Sequence, residues 1–105
     1  MLLLNALSGN MFNADMSVIR LTRIDTLRAI ELLHGVALES AIGHKAAAKI
    51  LSQALGQEVR KNRVTVKMGT GSSAILAQYV GPRLEENATE LPSGARIDFF
   101  LLEVC

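Results

Sequence analysis

Ser40-Ala41-Ile42-Gly43-His44-Lys45, followed by the alanine-rich run Ala46 to Leu55, is a turn that delivers a histidine to the start of a helix. Ala47, Ile50, Leu51, Ala54 and Leu55 form one stripe at helical spacing, the clearest such pattern in the chain. Gly56 stops it. Upstream, Val36 and Leu38 alternate with Ala37 and Glu39, so Val36 to Ile42 reads as a strand feeding the turn. Strand, turn and helix in that order are the unit of a layered α/β domain. The start of a helix carries unpaired N–H groups and a partial positive charge, a natural place for an anion. A histidine there can also transfer a proton near neutral pH.

On the N-terminal side, Met1 to Leu7 is a short apolar run ending in the polar turn Ser8-Gly9-Asn10, which suits a buried strand. Met11 to Asn13 reads as a single helical turn, and Ser17 to Ile24 alternates well enough for a half-buried strand. Asp25 is placed as the N-cap of a helix running to about His34, with Gly35 as its stop. Ile24, Leu27, Ile30 and Leu33 would be its buried positions.

On the C-terminal side, Arg60-Lys61-Asn62-Arg63 is a basic turn running into the alternating stretch Val64-Thr65-Val66-Lys67, which predicts a strand. Gly69-Thr70-Gly71-Ser72-Ser73 reads as a hairpin connection. It lacks the lysine and the following helix that a phosphate loop requires. Ala74 to Val80 is apolar enough for a central strand, and Gly81-Pro82 ends it. Arg83-Leu84-Glu85-Glu86-Asn87 is a polar loop, Pro92-Ser93-Gly94 a second turn, and Ile97 to Val104 a last apolar strand. The sum is a mixed β-sheet of about five strands covered by two main helices, in a single domain spanning 1–105.

The totals agree with that scale. A chain of 105 residues, 50% apolar and 20% charged, is a globular domain able to bury about two-thirds of its unfolded surface. A net charge of +1 argues against a basic face gripping duplex DNA. Phe12, Tyr79, Phe99 and Phe100 are too few for a platform that stacks successive bases. The single cysteine, Cys105, rules out an internal disulfide or a cysteine metal cluster, so a reducing cytoplasm is the expected setting. No stretch is long and apolar enough for a membrane span. His34 and His44 are ten apart and no metal or cofactor is expected; His34 suits a helix C-terminus.

Arg83 and Glu86, three apart directly after a buried strand, are placed either to pair with each other or to converge on a ligand. Arg63 sits in the basic run with Arg60, Lys61 and Lys67, either as part of a solvated turn or as a phosphate clamp. A guanidinium suits the second role because it donates two parallel hydrogen bonds. Asn5, Ser8 and Asn10 sit on the turn after the first strand, where turn chemistry accounts for them adequately and a ligand role is the lesser reading.

Four strings, Leu4-Asn5-Ala6-Leu7-Ser8-Gly9-Asn10-Met11, Ala41-Ile42-Gly43-His44, Lys61-Asn62-Arg63-Val64 and Gly81-Pro82-Arg83-Leu84-Glu85-Glu86, stand in the order and spacing seen in the viral ring nucleases. The chain resembles that family, small anti-CRISPR proteins of viruses with cellular relatives, over essentially its whole length. The resemblance implies a homodimer that binds cyclic tetra-adenylate, the messenger of type III CRISPR systems, in the cytoplasm of a host if the protein is viral. The ring would be cut to linear di-adenylates without a metal. Family catalytic positions fall on His44, Arg83 and Glu86, and substrate-binding positions on Asn5, Ser8, Asn10, Gly43 and Arg63. A common form of the last motif is Arg-Leu-Pro-Glu-Gly. Here it is Arg83-Leu84-Glu85-Glu86-Asn87, which makes Glu85 a neighbouring candidate, with spacing favouring Glu86. The rival class is a non-catalytic dimer that sequesters a cyclic nucleotide or contacts a host factor.

Overall fold

Five strands and two helices are present in the computed structural model, which describes residues 1–105. They are β1 (Leu2–Leu4), β2 (Ile19–Ile24), α1 (Thr26–Leu33), β3 (Glu39–Ser40), α2 (Lys45–Leu55), β4 (Ser73–Val80) and β5 (Arg96–Val104). The strands form one mixed sheet in the order β2-β5-β4-β1-β3. β1 pairs in parallel with β3 and β4, while β5 runs antiparallel to both β4 and β2. The expected mixed five-stranded sheet with two helices is therefore the fold. Its radius of gyration, 13.5 Å, matches the roughly 13 Å of a single compact domain of this length.

Each face of the sheet has its own cover. On one face Leu3, Ile75, Ala77 and Phe99 pack against Ala29 and Leu33 of α1 and Ala48, Leu51 and Leu55 of α2. On the other, Leu4, Ala74, Leu76, Leu102 and Val104 meet Val66 and Met68 from a segment with no helix at all. β4 holds the centre: Ala74, Ile75, Leu76 and Ala77 are all buried, alternating between the two cores.

Several local expectations hold. Asp25 caps α1 by accepting the Arg28 N–H at 2.8 Å. Gly56 closes α2 with φ +69°, a left-handed conformation in which glycine has no side chain to strain. Others need correction. The helical turn expected at Met11 to Asn13 lies at Gly9–Met11, where Ser8 accepts the Asn10 N–H and starts it earlier. β1 is limited to Leu2–Leu4 and β3 to Glu39–Ser40, far shorter than the apolar runs around them. β2 is not half-buried: it is the outer strand beside β5, and Ile19 and Leu21 are exposed. Leu27 is 70% exposed, because α1 turns Ala29 and Leu33 to the sheet instead.

Residues 64–67 form no strand. Val66 and Met68 point into the second core with the alternation of a strand, but their backbone lies over the sheet, outside its ladders. It zips instead to residues 10–13: the Met68 N–H donates to the Met11 carbonyl at 2.6 Å, and the Asn13 N–H to that of Met68 at 3.0 Å. The Gly69 to Ser73 connection is a tight turn with Gly71 at φ +89°, and it leads into β4 without closing a hairpin. No helix is long and apolar enough to cross a membrane.

Candidate functional site

β1, β3 and β4 run in parallel, so their carboxyl ends share one edge of the sheet, where α/β folds commonly place ligands. A cleft of about 970 Å³ opens at that edge. Asn5 enters it directly after β1. Gly43 and His44 enter after β3, Lys61 and Arg63 from the basic turn, and Tyr79 with residues 83–87 from the end of β4 and beyond. Four segments distant in sequence thus meet in one place.

His44 is the N-cap of α2, with φ −123° and ψ 133°, and its side chain caps nothing. The first helical bond runs from the Ala48 N–H to the His44 carbonyl at 3.0 Å, so the amides of Lys45, Ala46 and Ala47 have no intrahelical acceptor. Those three residues line the cleft. The imidazole is exposed beside a helix start whose partial charge favours an anion.

The basic turn that carries Arg63 is tied to the segment leading to His44 by hydrogen bonds centred on Ser40, the one buried polar residue. The Ser40 hydroxyl donates to the Arg60 carbonyl at 2.6 Å and accepts from the Ile42 N–H at 3.2 Å. Asn62 donates its backbone N–H to the Ile42 carbonyl at 2.8 Å and its side-chain amide to the Ser40 carbonyl at 2.7 Å. With residues 60 and 62 fixed in this way, the Arg63 side chain lies against Gly43. A Cβ added at Gly43 would sit 3.7 Å from the Arg63 Nε, an ordinary contact. Gly43 does not have a positive φ, so the glycine is not there to make a special turn.

Arg83, Glu85, Glu86 and Asn87 form a second wall of the cleft and are exposed. Arg83 and Glu86 do not pair with each other: neither makes a salt bridge or a side-chain hydrogen bond, so both are available to a ligand. Glu85 and Glu86 both face the cleft.

Of the residues singled out from sequence, Asn5, Gly43, His44, Arg63, Arg83 and Glu86 are brought together. Ser8 and Asn10 are not. Ser8 lies in a separate hollow with Leu7 and Phe12, and the Asn10 carbonyl accepts from Lys67 Nζ. The chain turns away after Asn5 to cover the second core, taking both residues with it. Lys45, Lys61 and Tyr79 line the cleft without having been assigned to it. Lys61 was visible only as part of a basic run, and nothing local marked Tyr79. His34 is the C-cap residue of α1, away from the cleft lining.

A family model described as STIV B116-like matches residues 1–95. Among solved structures, B116 of Sulfolobus turreted icosahedral virus superimposes with a TM-score of 0.77 at 29% identity, covering 97% of each chain. No curated protein matches the chain.

Proposed function

The chain belongs to the STIV B116-like family, and from its cleft we propose a metal-independent nuclease that opens cyclic tetra-adenylate into linear di-adenylates. The observation that carries the reading is the convergence of His44, Arg63, Arg83 and Glu86 on one cleft beside the open start of α2. Two guanidiniums, one imidazole, one carboxylate and free helix amides are the groups a phosphodiester needs. A volume of about 970 Å³ is at the upper end of the roughly 300–1,000 Å³ usual for small-ligand sites.

The reaction uses a nucleophile already in the substrate. A ribose 2′-hydroxyl attacks the adjacent phosphorus and gives its proton to solvent water; the new O2′–P bond forms, and the P–O5′ bond opposite it breaks. The product end is a 2′,3′-cyclic phosphate. Holding the attacking and departing oxygens in line supplies much of the rate. Arg63 and Arg83 neutralise the charge that grows on the non-bridging oxygens. His44, as general acid, gives a proton to the departing 5′-oxygen. Glu86 orients either that imidazole or the 2′-hydroxyl. Dependence on a 2′-hydroxyl would exclude DNA rings.

A second copy belongs to the reading. A two-fold homodimer would present two clefts to a ring of four identical nucleotides. Two opposite phosphodiesters would then be cut, giving two halves. Loss of the ring would switch off type III CRISPR signalling.

Incubation with cyclic tetra-adenylate in EDTA, followed by chromatography, tests the reading. Linear di-adenylates with cyclic phosphate ends are expected, and His44→Ala should slow their formation by about 10²–10⁴-fold. An intact ring after long incubation would sink the nuclease. If the ring stayed intact yet bound, sequestration would take its place.

A further inference from the structure

We infer that Tyr79 is the positioning residue for the loop that carries Arg83 and Glu86; the inference rests on the reading of the cleft given above. Tyr79 is the second-last residue of β4, half-buried on the helix-covered side of the central strand, and it lines the cleft. Its hydroxyl donates to the carbonyl of Pro82. That carbonyl belongs to the peptide immediately before Arg83. Fixing its direction therefore fixes where the guanidinium leaves the backbone.

The packing around this bond is close. Gly81 has φ +156°, and a Cβ there would lie 2.6 Å from the Cβ of Ala95 and 3.1 Å from the Tyr79 hydroxyl. The chain reversal is thus pressed between the start of β5 and the phenol, and Pro82 stiffens the next φ. Beyond this point the loop has little else to hold it. Its remaining backbone bonds, from the Ala88 N–H to the Glu85 carbonyl and from the Ala95 N–H to the Pro92 carbonyl, close turns within the loop and tie it to nothing outside. The Tyr79 bond is the tie between the first residues of the loop and the sheet.

Tyr79→Phe removes the hydroxyl and keeps the ring. Trypsin can cut after Arg83, and cutting after Lys67 in the same digest is an internal reference. The variant should be cut after Arg83 about three- to tenfold faster relative to that reference, the change expected from one neutral hydrogen bond. On cyclic tetra-adenylate its kcat should fall by a similar factor with KM little changed. The fall should vanish in an Arg83→Ala background, because a residue acting through Arg83 has nothing left to position. An unchanged trypsin ratio would overturn the inference whether or not the ring is cleaved. A freed loop with unchanged kcat would equally overturn the positioning role. If the wild-type protein cut no ring, the proposed function would fail while the trypsin ratio still decided what Tyr79 holds.

Discussion

The two walls of the cleft are built in opposite ways. The wall of His44 and Arg63 is bound through Ser40 and Asn62, whose four hydrogen bonds run between β3, its continuation to Ile42 and the basic turn. Ile42 beneath it is fully buried. The wall of Arg83 and Glu86 is a loop, residues 81–95, held at its start by the Tyr79–Pro82 bond and by the squeeze on Gly81. Local stability follows buried contacts and protected hydrogen bonds, so the first wall should open only with the fold and the second on its own. Under the proposed function, the proton donor and one arginine would be held in place before a ligand arrives. The second arginine and the carboxylate would be brought in with it.

The largest effect should come from breaking the fixed wall. Ser40→Ala leaves the Ile42 N–H and the Arg60 carbonyl without their partner in a buried setting, at a cost of about 1–3 kcal/mol. Thermal unfolding should register a fall of roughly 4–8 °C for each kcal/mol in a domain of this size. A variant as stable as the parent would show that the wall does not depend on this serine. A smaller effect on stability is expected from Gly81→Ala on the other wall. If nothing moved, the strained backbone would cost about 1–3 kcal/mol, and the added methyl would collide with Ala95. The loop can swing away instead. Unfolding temperature should then drop less than for Ser40→Ala while ring cleavage drops more, and the reverse order would break the contrast between the walls.

The same contrast explains what could be read from the chain and what could not. α2, the Asp25 cap, the Gly56 stop and the central place of β4 were legible because each rests on a pattern within a dozen residues. The exposure of β2 was not, since alternation does not say which strand will lie at the edge. Val64 to Lys67 misled for a related reason: period-two burial signals a one-sided extended chain, whether or not that chain joins a ladder. For the cleft, no local pattern joins Asn5, His44, Arg63 and Arg83; their union came from the order and spacing of four strings matched to a family. Ser40 is a small polar residue inside an apolar run, and its importance depends on Arg60 arriving from twenty positions away.

The smallest expected effect concerns the far end of the loop wall, where residue 96 re-enters the sheet. Asp98 Oδ1 accepts from Arg96 Nε at 3.1 Å, and Arg23 of β2 lies 3.3 Å from Oδ2. The Arg96 hydrogen bond, helped by Arg23 and opposed by partial burial, lowers the carboxyl below its usual range. Arg23 also stacks over Phe100, 4.8 Å from the ring centre, so the cluster ties β5 to the edge strand. A carboxyl that ionises more readily folded than unfolded stabilises the fold fully above the unfolded value of about 3.9. That contribution is lost as pH falls below it, through the folded value. Asp98→Asn should therefore unfold less steeply than the parent between neutral pH and strong acid, with its stability at neutral pH slightly reduced. The cluster is exposed to solvent on its arginine side, so the difference should shrink in high salt. Acid should also speed trypsin-independent opening of the loop, read as hydrogen exchange at residues 83–95, before it affects amides of the Ser40 wall. Simultaneous loss of protection on both walls would mean that they form one cooperative unit and that the division drawn between them is wrong.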